Sequence, residues 1–358
     1  QLGEVYDQLS DPTYLKKQFM EYENYSGKKG YMVFRERRGR ARRVNTIRWV
    51  AAVAAVWVIV LGSMLWLTLG ESGEKEVPPV ASKVIPAGEK KARLILADGT
   101  EVEVSKTGAH VLKEEGVNIK YENGEISYET ERVSTEIVYN ELEVPRGGEC
   151  IITLDDGTKV WVNAATEIYY PVKFVGKERR VWLEGEAYFE VAKERERPFW
   201  VDFREGTVRV LGTQFNVKAY GGEEAVATLV HGKVEVARGQ EAVVLQPGEQ
   251  CRIAAGEAHA LIVGKADLVS TLAWKNGEFV FKDASLDQVI DELARWYNVE
   301  MVYDHSLFRE SRVHIYMNRS QTLDEALDML SKAWNIRYER QGTKVWLGEW
   351  HTGGTDSD

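Results

Sequence analysis

The chain has 358 residues, a formal net charge of −10 and two cysteines. This length is sufficient for two or three domains, and the acidic balance argues against a nucleic-acid-binding protein, since such proteins carry a basic surface. The chain contains no Cys-x-x-Cys pair and no Cys/His cluster, so its composition does not indicate a metal site. We expect no metal and no cofactor.

Residues 1–48 form a polar N-terminal segment that is too short for a hydrophobic core of its own. We interpret this segment as a cytoplasmic arm that becomes ordered against a partner or the inner face of a membrane. Because the chain begins with Gln1 rather than Met, we expect the native start of the arm to be missing.

Residues 49–70 contain no charged side chain and predict a transmembrane helix, because roughly 20 apolar residues cross the hydrocarbon core of a bilayer. Arginines dominate before this segment and acidic residues dominate after it. Basic flanks remain cytoplasmic, which places the N-terminus inside and the bulk of the chain outside. The arginines that predict this topology are Arg35, Arg37, Arg38, Arg40, Arg42, Arg43 and Arg48.

A cleaved signal peptide and a buried core helix are the alternatives for residues 49–70. A signal peptide has a shorter apolar region nearer the N-terminus. A helix packed in a globular core usually has one apolar face, whereas residues 49–70 are apolar on every face. Both alternatives therefore fit the sequence less well than a membrane span does.

Residues 71–83 read as a charged linker that contains proline, and β-strand patterns begin after it. Alternating apolar residues flank Asp98-Gly99 and again Asp156-Gly157, and an Asp-Gly pair in such a setting predicts a β-hairpin. Each pair follows a Pro-x-Gly sequence, at Pro86–Gly88 and Pro145–Gly147, which we interpret as a turn. The two hairpins therefore predict an internal repeat.

Residues 84–262 are predicted to form an all-β domain, either a sandwich or a short solenoid of stacked hairpins. Short strands alternate with turn residues, and helical periodicity is lacking. The predicted turns include Asn123-Gly124 and Glu184-Gly185-Glu186. Cys150 and Cys251 lie in this domain. An oxidising compartment would allow them to pair, but the sequence does not decide whether they do.

Residues 274–350 change to a mixed pattern that predicts two βαβ units of one design. The ranges Ser285–Gln288 and Thr322–Glu325 have the spacing of capping boxes at the start of two amphipathic helices. We expect both helices on one face of one sheet, and a disordered tail at 351–358. The predicted elements are strand 278–281, helix 285–297, strands 299–303 and 312–317, helix 322–333, and strands 335–340 and 343–347.

The predicted fold is thus a single-span membrane protein with an all-β domain followed by a small α+β domain of duplicated βαβ units. No catalytic motif emerges: the sequence contains no nucleophile elbow, no P-loop and no H-E-x-x-H zinc motif. Glu184 and Glu186 are paired acids, but side chains on either side of one glycine are not expected to straddle a sugar ring. We therefore expect no enzymatic activity and no catalytic residue.

A series of segments within 145–250 resembles the FecR family in sequence and in order. These segments include VPRGGECIITLDDGTKVWVN, VWLEGEAYFEVA, VRVLGTQFNVKAY, ATLVHGKVEV and LQPGEQ. The stretch from Trp274 resembles a domain that one branch of the family appends, which is similar to the short N-terminal domain of secretins and TonB-dependent transporters. The family motif residues are Asp156, Gly157, Thr158, Gly185, Glu186, Gly212, Thr213, Phe215, Gly232, Pro247 and Gly248.

The resemblance implies an inner-membrane anti-sigma factor with its N-terminus in the cytoplasm and its bulk in the periplasm. The implied partners are an extracytoplasmic-function sigma factor, the periplasmic signalling domain of a TonB-dependent outer-membrane transporter, the inner membrane and site proteases, but no nucleic acid. Family members carry a sigma-binding region before the span, and residues 1–48 are a short counterpart of it. The motif glycines are interpreted as turn residues of the scaffold.

Some family members are reported to cleave themselves at a Gly-Thr peptide, and Gly212-Thr213 is the corresponding pair. A threonine hydroxyl can attack the preceding carbonyl carbon where the backbone is strained. Self-cleavage is one hypothesis for this pair, and a plain turn is the alternative. Two other functions stay open for the chain: a membrane-anchored periplasmic module that binds glycan or envelope polymer, and an anchored hydrolase.

Overall fold

The computed structural model describes residues 84–105, 109–114, 117–130, 137–253, 260–306 and 312–349. The predicted arm 1–48, membrane span 49–70, linker 71–83 and tail 351–358 lie outside the described residues. Within the described part of the chain, no helix combines the length and the apolar character that crossing a membrane requires.

The first domain, here called the β domain, is built from β-strands that follow one another along the chain. Its strands are β1 (Glu89–Ile95), β2 (Glu101–Ser105), β3 (Ala109–Glu114), β4 (Val117–Glu122), β5 (Glu125–Thr130), β6 (Tyr139–Val144), β7 (Gly148–Thr153), β8 (Lys159–Val162), β9 (Thr166–Pro171), β10 (Arg179–Glu190), β11 (Phe199–Phe203), β12 (Gly206–Val210), β13 (Gln214–Ala219), β14 (Ala225–His231), β15 (Val234–Arg238), β16 (Glu241–Leu245), β17 (Glu249–Ile253) and β18 (Leu261–Lys265).

Two long sheets enclose the core of the β domain. Sheet 1 has the order β2-β1-β6-β9-β10-β11-β12-β15-β16. Sheet 2 has the order β3-β4-β5-β7-β8-β10-β13-β14-β17-β18. Apolar side chains from both sheets, such as Leu183 and Phe215, belong to one hydrophobic cluster. Of the two predicted arrangements, the structure therefore corresponds to a sandwich.

Strand β10 belongs to both sheets. Its residues Trp182–Glu184 pair with β9 in sheet 1, and its residues Gly185–Glu190 pair with β13 in sheet 2. The predicted turn at Glu184-Gly185-Glu186 is wrong, because the strand continues through it. Glycine is needed there for space and conformation: a Cβ atom would lie 2.4 Å from Thr166 Oγ1, and φ is +120°.

The two predicted Asp-Gly hairpins are confirmed as β1–β2 and β7–β8, and Asn123-Gly124 is confirmed as the turn between β4 and β5. The Pro145–Gly147 turn is present, with Gly148 N donating to Pro145 O at 3.0 Å. The predicted turn at Pro86–Gly88 is wrong, since the chain does not turn at these residues. Gly88 instead lies against the second domain.

The second domain, here called the C-terminal domain, follows β18. It consists of α1 (Leu268–Leu272), a 3-10 helix (Trp274–Asn276), β19 (Glu278–Ser285), α2 (Leu286–Tyr297), β20 (Glu300–Tyr303), β21 (Arg312–Asn318), α3 (Leu323–Trp334), β22 (Ile336–Gln341) and β23 (Lys344–Glu349). Both predicted capping boxes are present, at Ser285 and Thr322. Both long helices end at an asparagine in the left-handed conformation, Asn298 and Asn335.

The expectation of one sheet in the C-terminal domain is wrong. Strand β19 pairs with β21, and β20 pairs with β23, which also pairs with β22. Both strands of the first unit, β19 and β20, thus pair with strands of the second unit, in two separate sheets. The apolar faces of α2 and α3 share one core with both sheets.

Cys150 and Cys251 are free thiols inside the β domain. Burial is the main cause that raises the pKa of Cys150 to about 12 and the pKa of Cys251 to about 11. Because the thiolate is the reactive form, burial disfavours reaction at both cysteines in the folded protein.

Candidate functional site

A buried polar cluster connects the β domain to the C-terminal domain. Its members, here called the interdomain ring, are all at most 8% exposed: Asn163, Glu186, Asn216, Trp274 and Arg319. Glu186 and Asn216 lie in strands of sheet 2, and Asn163 directly follows β8 of the same sheet. Trp274 and Arg319 come from the C-terminal domain. Polar side chains are seldom buried to this extent unless they are hydrogen-bonded.

Hydrogen bonds close the interdomain ring. The Glu186 carboxylate accepts from Asn163 Nδ2 at 2.8 Å and from Asn216 Nδ2 at 3.0 Å. Asn216 Oδ1 accepts from the Trp274 indole N–H at 3.3 Å, and the Trp274 carbonyl accepts from Arg319 Nη1 at 3.1 Å. Arg319 Nη2 donates to Asn163 Oδ1 at 3.0 Å, which completes the circuit.

The ring holds two opposite charges with the Asn163 amide between them. Burial raises the pKa of Glu186, although Lys218 and the two amide donors oppose that rise. Burial also lowers the pKa of the Arg319 guanidinium, which lies 3.7 Å from the centre of the Trp296 ring. Removing one member of such a network leaves the other charge buried and unpaired. The ring therefore favours one orientation of the two domains.

Charged side chains surround the ring with complementary signs. Lys218 of the β domain faces Glu292 of the C-terminal domain at 3.5 Å, and Glu223 of the β domain pairs with Arg295. Arg295 also lies 4.1 Å from the centre of the Tyr220 ring. Since each domain contributes one cation and one anion, these pairs add specificity for the same orientation.

Further contacts of side chains and backbone extend the interface between the two domains on both sides of the ring. Lys275 Nζ of the C-terminal domain lies 4.3 Å from the centre of the Trp161 ring and 4.8 Å from that of Tyr188. Arg146 Nη2 donates to the Val299 carbonyl at 2.9 Å, and Gly147 N donates to the Arg295 carbonyl at 2.8 Å. The two domains therefore meet over a broad, mostly polar contact.

The motif residues Asp156, Gly157 and Thr158 lie at the tip of the β7–β8 hairpin. Asp156 Oδ2 accepts from Arg179 Nη1 at 2.7 Å, and both side chains are almost fully buried. Thr158 Oγ1 donates to the same carboxylate at 2.7 Å. Gly157 has φ +82°, which favours glycine. These residues hold the hairpin against β10 and do not reach the interdomain ring.

The motif pair Gly212-Thr213 lies between β12 and β13. A Cβ atom at Gly212 would come within 2.7 Å of Lys193 Cα, so the chain approaches too closely for another residue. The Thr213 hydroxyl is buried and donates to the Lys233 carbonyl at 3.0 Å. The self-cleavage hypothesis stays a prediction.

The remaining motif residues support the scaffold. Phe215 is buried and stacks on Phe189 with ring centres 5.0 Å apart. Gly232 lies against the Thr213 hydroxyl, from which a Cβ atom would be 2.9 Å away. Pro247-Gly248 is a turn in which Gly248 has φ +85°, and Glu249 N donates to Gln246 O at 2.9 Å.

One acidic cluster has the spacing of a metal site. Oxygen atoms of Glu141, Glu143 and Glu167 lie within 4.8 Å of one another, beside an open groove with a volume of about 400 Å³. Arg93 Nη2, however, lies 2.6 Å from Glu143 Oε2 and offsets part of the negative charge. Acidic side chains on neighbouring strands often gather in this way, so the cluster does not by itself identify a ligand.

Comparisons with known proteins match both domains. A family model described as FecR protein matches residues 140–235, and one described as FecR, C-terminal matches residues 278–347. Two crystal structures of a candidate anti-sigma factor from Parabacteroides distasonis are each 31% identical to the chain, with a TM-score of 0.55. Each covers 59% of this chain and 99% of its own. The chain belongs to the FecR family. No curated protein sequence is significantly similar to it.

In this FecR protein the interdomain ring joins the two family modules. Asn163, Glu186 and Asn216 lie in the region matched by the first family model, and Arg319 lies in the region matched by the second. Trp274 lies between the two matched regions. Sequence reasoning selected Glu186 as a motif residue but missed the role of Asn163, Asn216 and Arg319. Each of these three is a single polar residue within or next to an otherwise apolar strand, which is a weak sequence indication of a buried polar contact.

Proposed function

We propose that this FecR protein is an anti-sigma factor of the inner membrane. The observation that carries the proposal is the 31% identity to the candidate anti-sigma factor from Parabacteroides distasonis over 99% of that chain. The presence of both FecR modules in the expected order supports it. On this proposal residues 1–48 contact an extracytoplasmic-function sigma factor, and residues 49–70 cross the membrane.

The proposed input is a contact on the C-terminal domain. Its three-stranded sheet has β20 and β22 on the outside, and within the described residues each of them pairs only with β23. An exposed edge strand can accept a strand from a partner. We assign this contact to the periplasmic signalling domain of a TonB-dependent outer-membrane transporter, as the family resemblance implies.

The interdomain ring can transmit the effect of partner binding from the C-terminal domain to the β domain. Because the ring and its surrounding ion pairs favour one orientation of the two domains, a partner that moves the C-terminal domain acts on the β domain as well. A graded conformational change is difficult to transmit through one helix. Regulated proteolysis near and within the membrane is the relay that we favour, and its outcome would be the release or delivery of the sigma factor.

The alternative function of glycan binding would require a row of exposed aromatic side chains, on which sugars stack. Among the strongly exposed large hydrophobic side chains of the described residues, only Tyr316 is aromatic. This distribution favours the regulatory proposal over a glycan-binding module. The proposed regulator acts through binding and is not assigned an enzymatic turnover.

Co-purification tests the sigma-factor part of the proposal. The full chain, solubilised in detergent, should retain an extracytoplasmic-function sigma factor from the same cells, and a chain that lacks residues 1–48 should lose it. Retention by both chains would place the contact elsewhere. Loss of the sigma factor from both would contradict the anti-sigma role.

Calorimetry tests the transporter part separately. The full chain should bind a purified signalling domain of a TonB-dependent transporter. Replacing Tyr338 in β22 with proline should weaken binding, because the register with β23 directs the Tyr338 N–H to the free edge of the sheet. Absence of binding by the wild-type chain would remove the transporter from the proposal without touching the sigma-factor test.

A further inference from the structure

The first described residues of the chain, Val84–Gly88, lie against the C-terminal domain. We call them the leading segment. The side chains of Ile85 and Ala87 pack on the hydrophobic core of the C-terminal domain. The backbone N–H of Leu323 donates to the Ile85 carbonyl at 3.1 Å. Leu323 is the first residue of α3, and the first N–H groups of a helix need an acceptor from outside the helix.

Trp296 connects the leading segment to the interdomain ring. A Cβ atom at Gly88 would lie 2.7 Å from the Trp296 ring, so the backbone of the leading segment touches that ring directly. The same indole donates from Nε1 to the Arg319 carbonyl at 2.8 Å, and the Arg319 guanidinium lies 3.7 Å from its centre. A displacement of Arg319 therefore alters the surface on which Gly88 rests.

The leading segment and the strand that follows it are held very differently. Strand β1 pairs with β2 and β6 in sheet 1 and with β7 through a short parallel contact. The leading segment is not part of a β-strand, and its apolar side chains pack on the C-terminal domain. It can therefore be freed without breaking the sheets of the β domain, which is the behaviour expected of a local opening.

We propose that the C-terminal domain restrains the leading segment, and that displacement of this domain frees it. The inference rests on the proposed function, since the leading segment is the covalent route by which the structured domains connect to the predicted span. A partner that docks on the C-terminal domain and shifts it would release the first residues beyond the linker. The restraint is conformational, and the rate at which a protease cleaves residues 84–88 measures whether the segment is held or free.

Limited proteolysis of the full chain in detergent tests the restraint. A nonspecific protease hydrolyses peptide bonds only in extended, accessible segments, and mass spectrometry can follow cleavage at the bonds of residues 84–88 alone. Ile85→Asp places a charge where a half-buried side chain meets an apolar core, and we expect cleavage at these bonds to become at least about tenfold faster. Val84→Asp is the matched control, because Val84 is 58% exposed, and its cleavage rate should equal that of the wild type.

Equal cleavage rates for Ile85→Asp and Val84→Asp would overturn the restraint. Gly88→Ala gives a milder second test in case the charge disturbs folding, because its methyl group must push against the rigid Trp296 ring. It should also accelerate cleavage, with an unchanged melting temperature of the β domain. A rate equal to that of the wild type would count against the contact.

Arg319→Met tests whether the position of the C-terminal domain controls the segment. It keeps an unbranched apolar side chain but removes the hydrogen bonds of the guanidinium, and we expect faster cleavage at residues 84–88. If Ile85→Asp accelerates cleavage and Arg319→Met does not, the coupling to the interdomain ring is overturned.

A sigma-dependent reporter separates this inference from the proposed function. In cells, Ile85→Asp should change the reporter output without a transporter stimulus, and Val84→Asp should not. Faster cleavage of purified Ile85→Asp with an unchanged reporter would support the restraint and contradict the proposed link between the freed segment and the sigma factor.

Discussion

The two Asp-Gly hairpins of the β domain have the same turn and different surroundings. In both, a leucine N–H donates to a threonine carbonyl at 2.9 Å, from Leu96 to Thr100 and from Leu154 to Thr158. In both, the threonine N–H donates to the aspartate carboxylate. Asp98 is exposed, however, whereas Asp156 is buried against the fully buried guanidinium of Arg179.

This difference shows that the residues within the turn determine its conformation. Contacts with the rest of the protein determine how much the aspartate contributes to the free energy of unfolding. An exposed aspartate in a turn loses little when it is replaced. A buried aspartate that faces a buried arginine belongs to an ion pair whose members cannot be removed singly without a large cost. Substitutions at equivalent positions of the two hairpins can measure this difference directly.

Arg179→Ala should have the largest effect, because it leaves the Asp156 carboxylate buried without its cation and creates a cavity. We expect a loss of about 3–5 kcal/mol in the free energy of unfolding, measured by urea denaturation with tryptophan fluorescence. Arg93→Ala is the comparison for the first hairpin. Arg93 is 35% exposed in its ion pairs, and its replacement should cost less than about 1 kcal/mol. Equal losses would contradict the distinction between the hairpins.

Asp156→Asn should have the next largest effect. It removes the charge that Arg179 faces, but Arg179 keeps hydrogen bonds to the carbonyls of Arg197 and Ala192. We expect a loss of about 1.5–3 kcal/mol, which is typical of a hydrogen bond to a charged group. Asp98→Asn at the equivalent position should change the urea midpoint much less. A larger shift for Asp98→Asn would refute this ranking.

Gly157→Ala and Gly99→Ala should cost similar amounts. The two glycines have φ of +82° and +85°, and a Cβ atom at either position would meet nothing within 4 Å. The loss in the free energy of unfolding therefore comes from backbone conformation alone and should be about 1–2 kcal/mol for each variant. The different burial of the neighbouring aspartates should not change it. Urea midpoints that differ strongly between the two variants would show that the turns are less alike than their hydrogen bonds indicate.

The smallest effect concerns pH at the exposed turn. The Thr100 backbone N–H, and after it the Thr100 hydroxyl, lower the pKa of Asp98. A carboxyl group with a lowered pKa stabilises the fold above its unfolded-state pKa, and this contribution is lost as the pH falls through the folded-state value. An NMR titration should give Asp98 a pKa below the ordinary aspartate value, and Thr100→Val should raise it. A midpoint that stays unchanged in Thr100→Val would exclude the hydroxyl as a cause.

Sequence reasoning succeeded where a few neighbouring residues determine the structure. Asp-Gly hairpins, capping boxes such as Ser285–Gln288 and the apolar faces of α2 and α3 depend on local spacing. It failed at Gly185, because a glycine that permits close approach to Thr166 looks the same in sequence as a glycine in a turn. It failed at Pro86–Gly88 for the same reason, since the partner of Gly88 is the distant Trp296.

The interdomain ring could be predicted only in part. Glu186 was selected through the family resemblance, but its ring partners are far apart in the chain and follow no periodic pattern. Asn163 directly follows a hairpin strand and Arg319 directly follows β21, positions where polar residues are ordinary. Long-range pairing of single polar residues leaves no signal in one sequence, so the structure was needed to bring them together.

The contact between Ile85 and Leu323 also bears on biosynthesis. A chain made from its N-terminus exposes Ile85 before α3, the helix that supplies its hydrogen-bond donor, has been synthesised. Contacts between residues so distant in sequence form late in folding. A chain that stops before α3 would lack this donor and leave its leading segment uncovered. Cleavage at residues 84–88 would therefore distinguish such a fragment from a chain that includes the C-terminal domain.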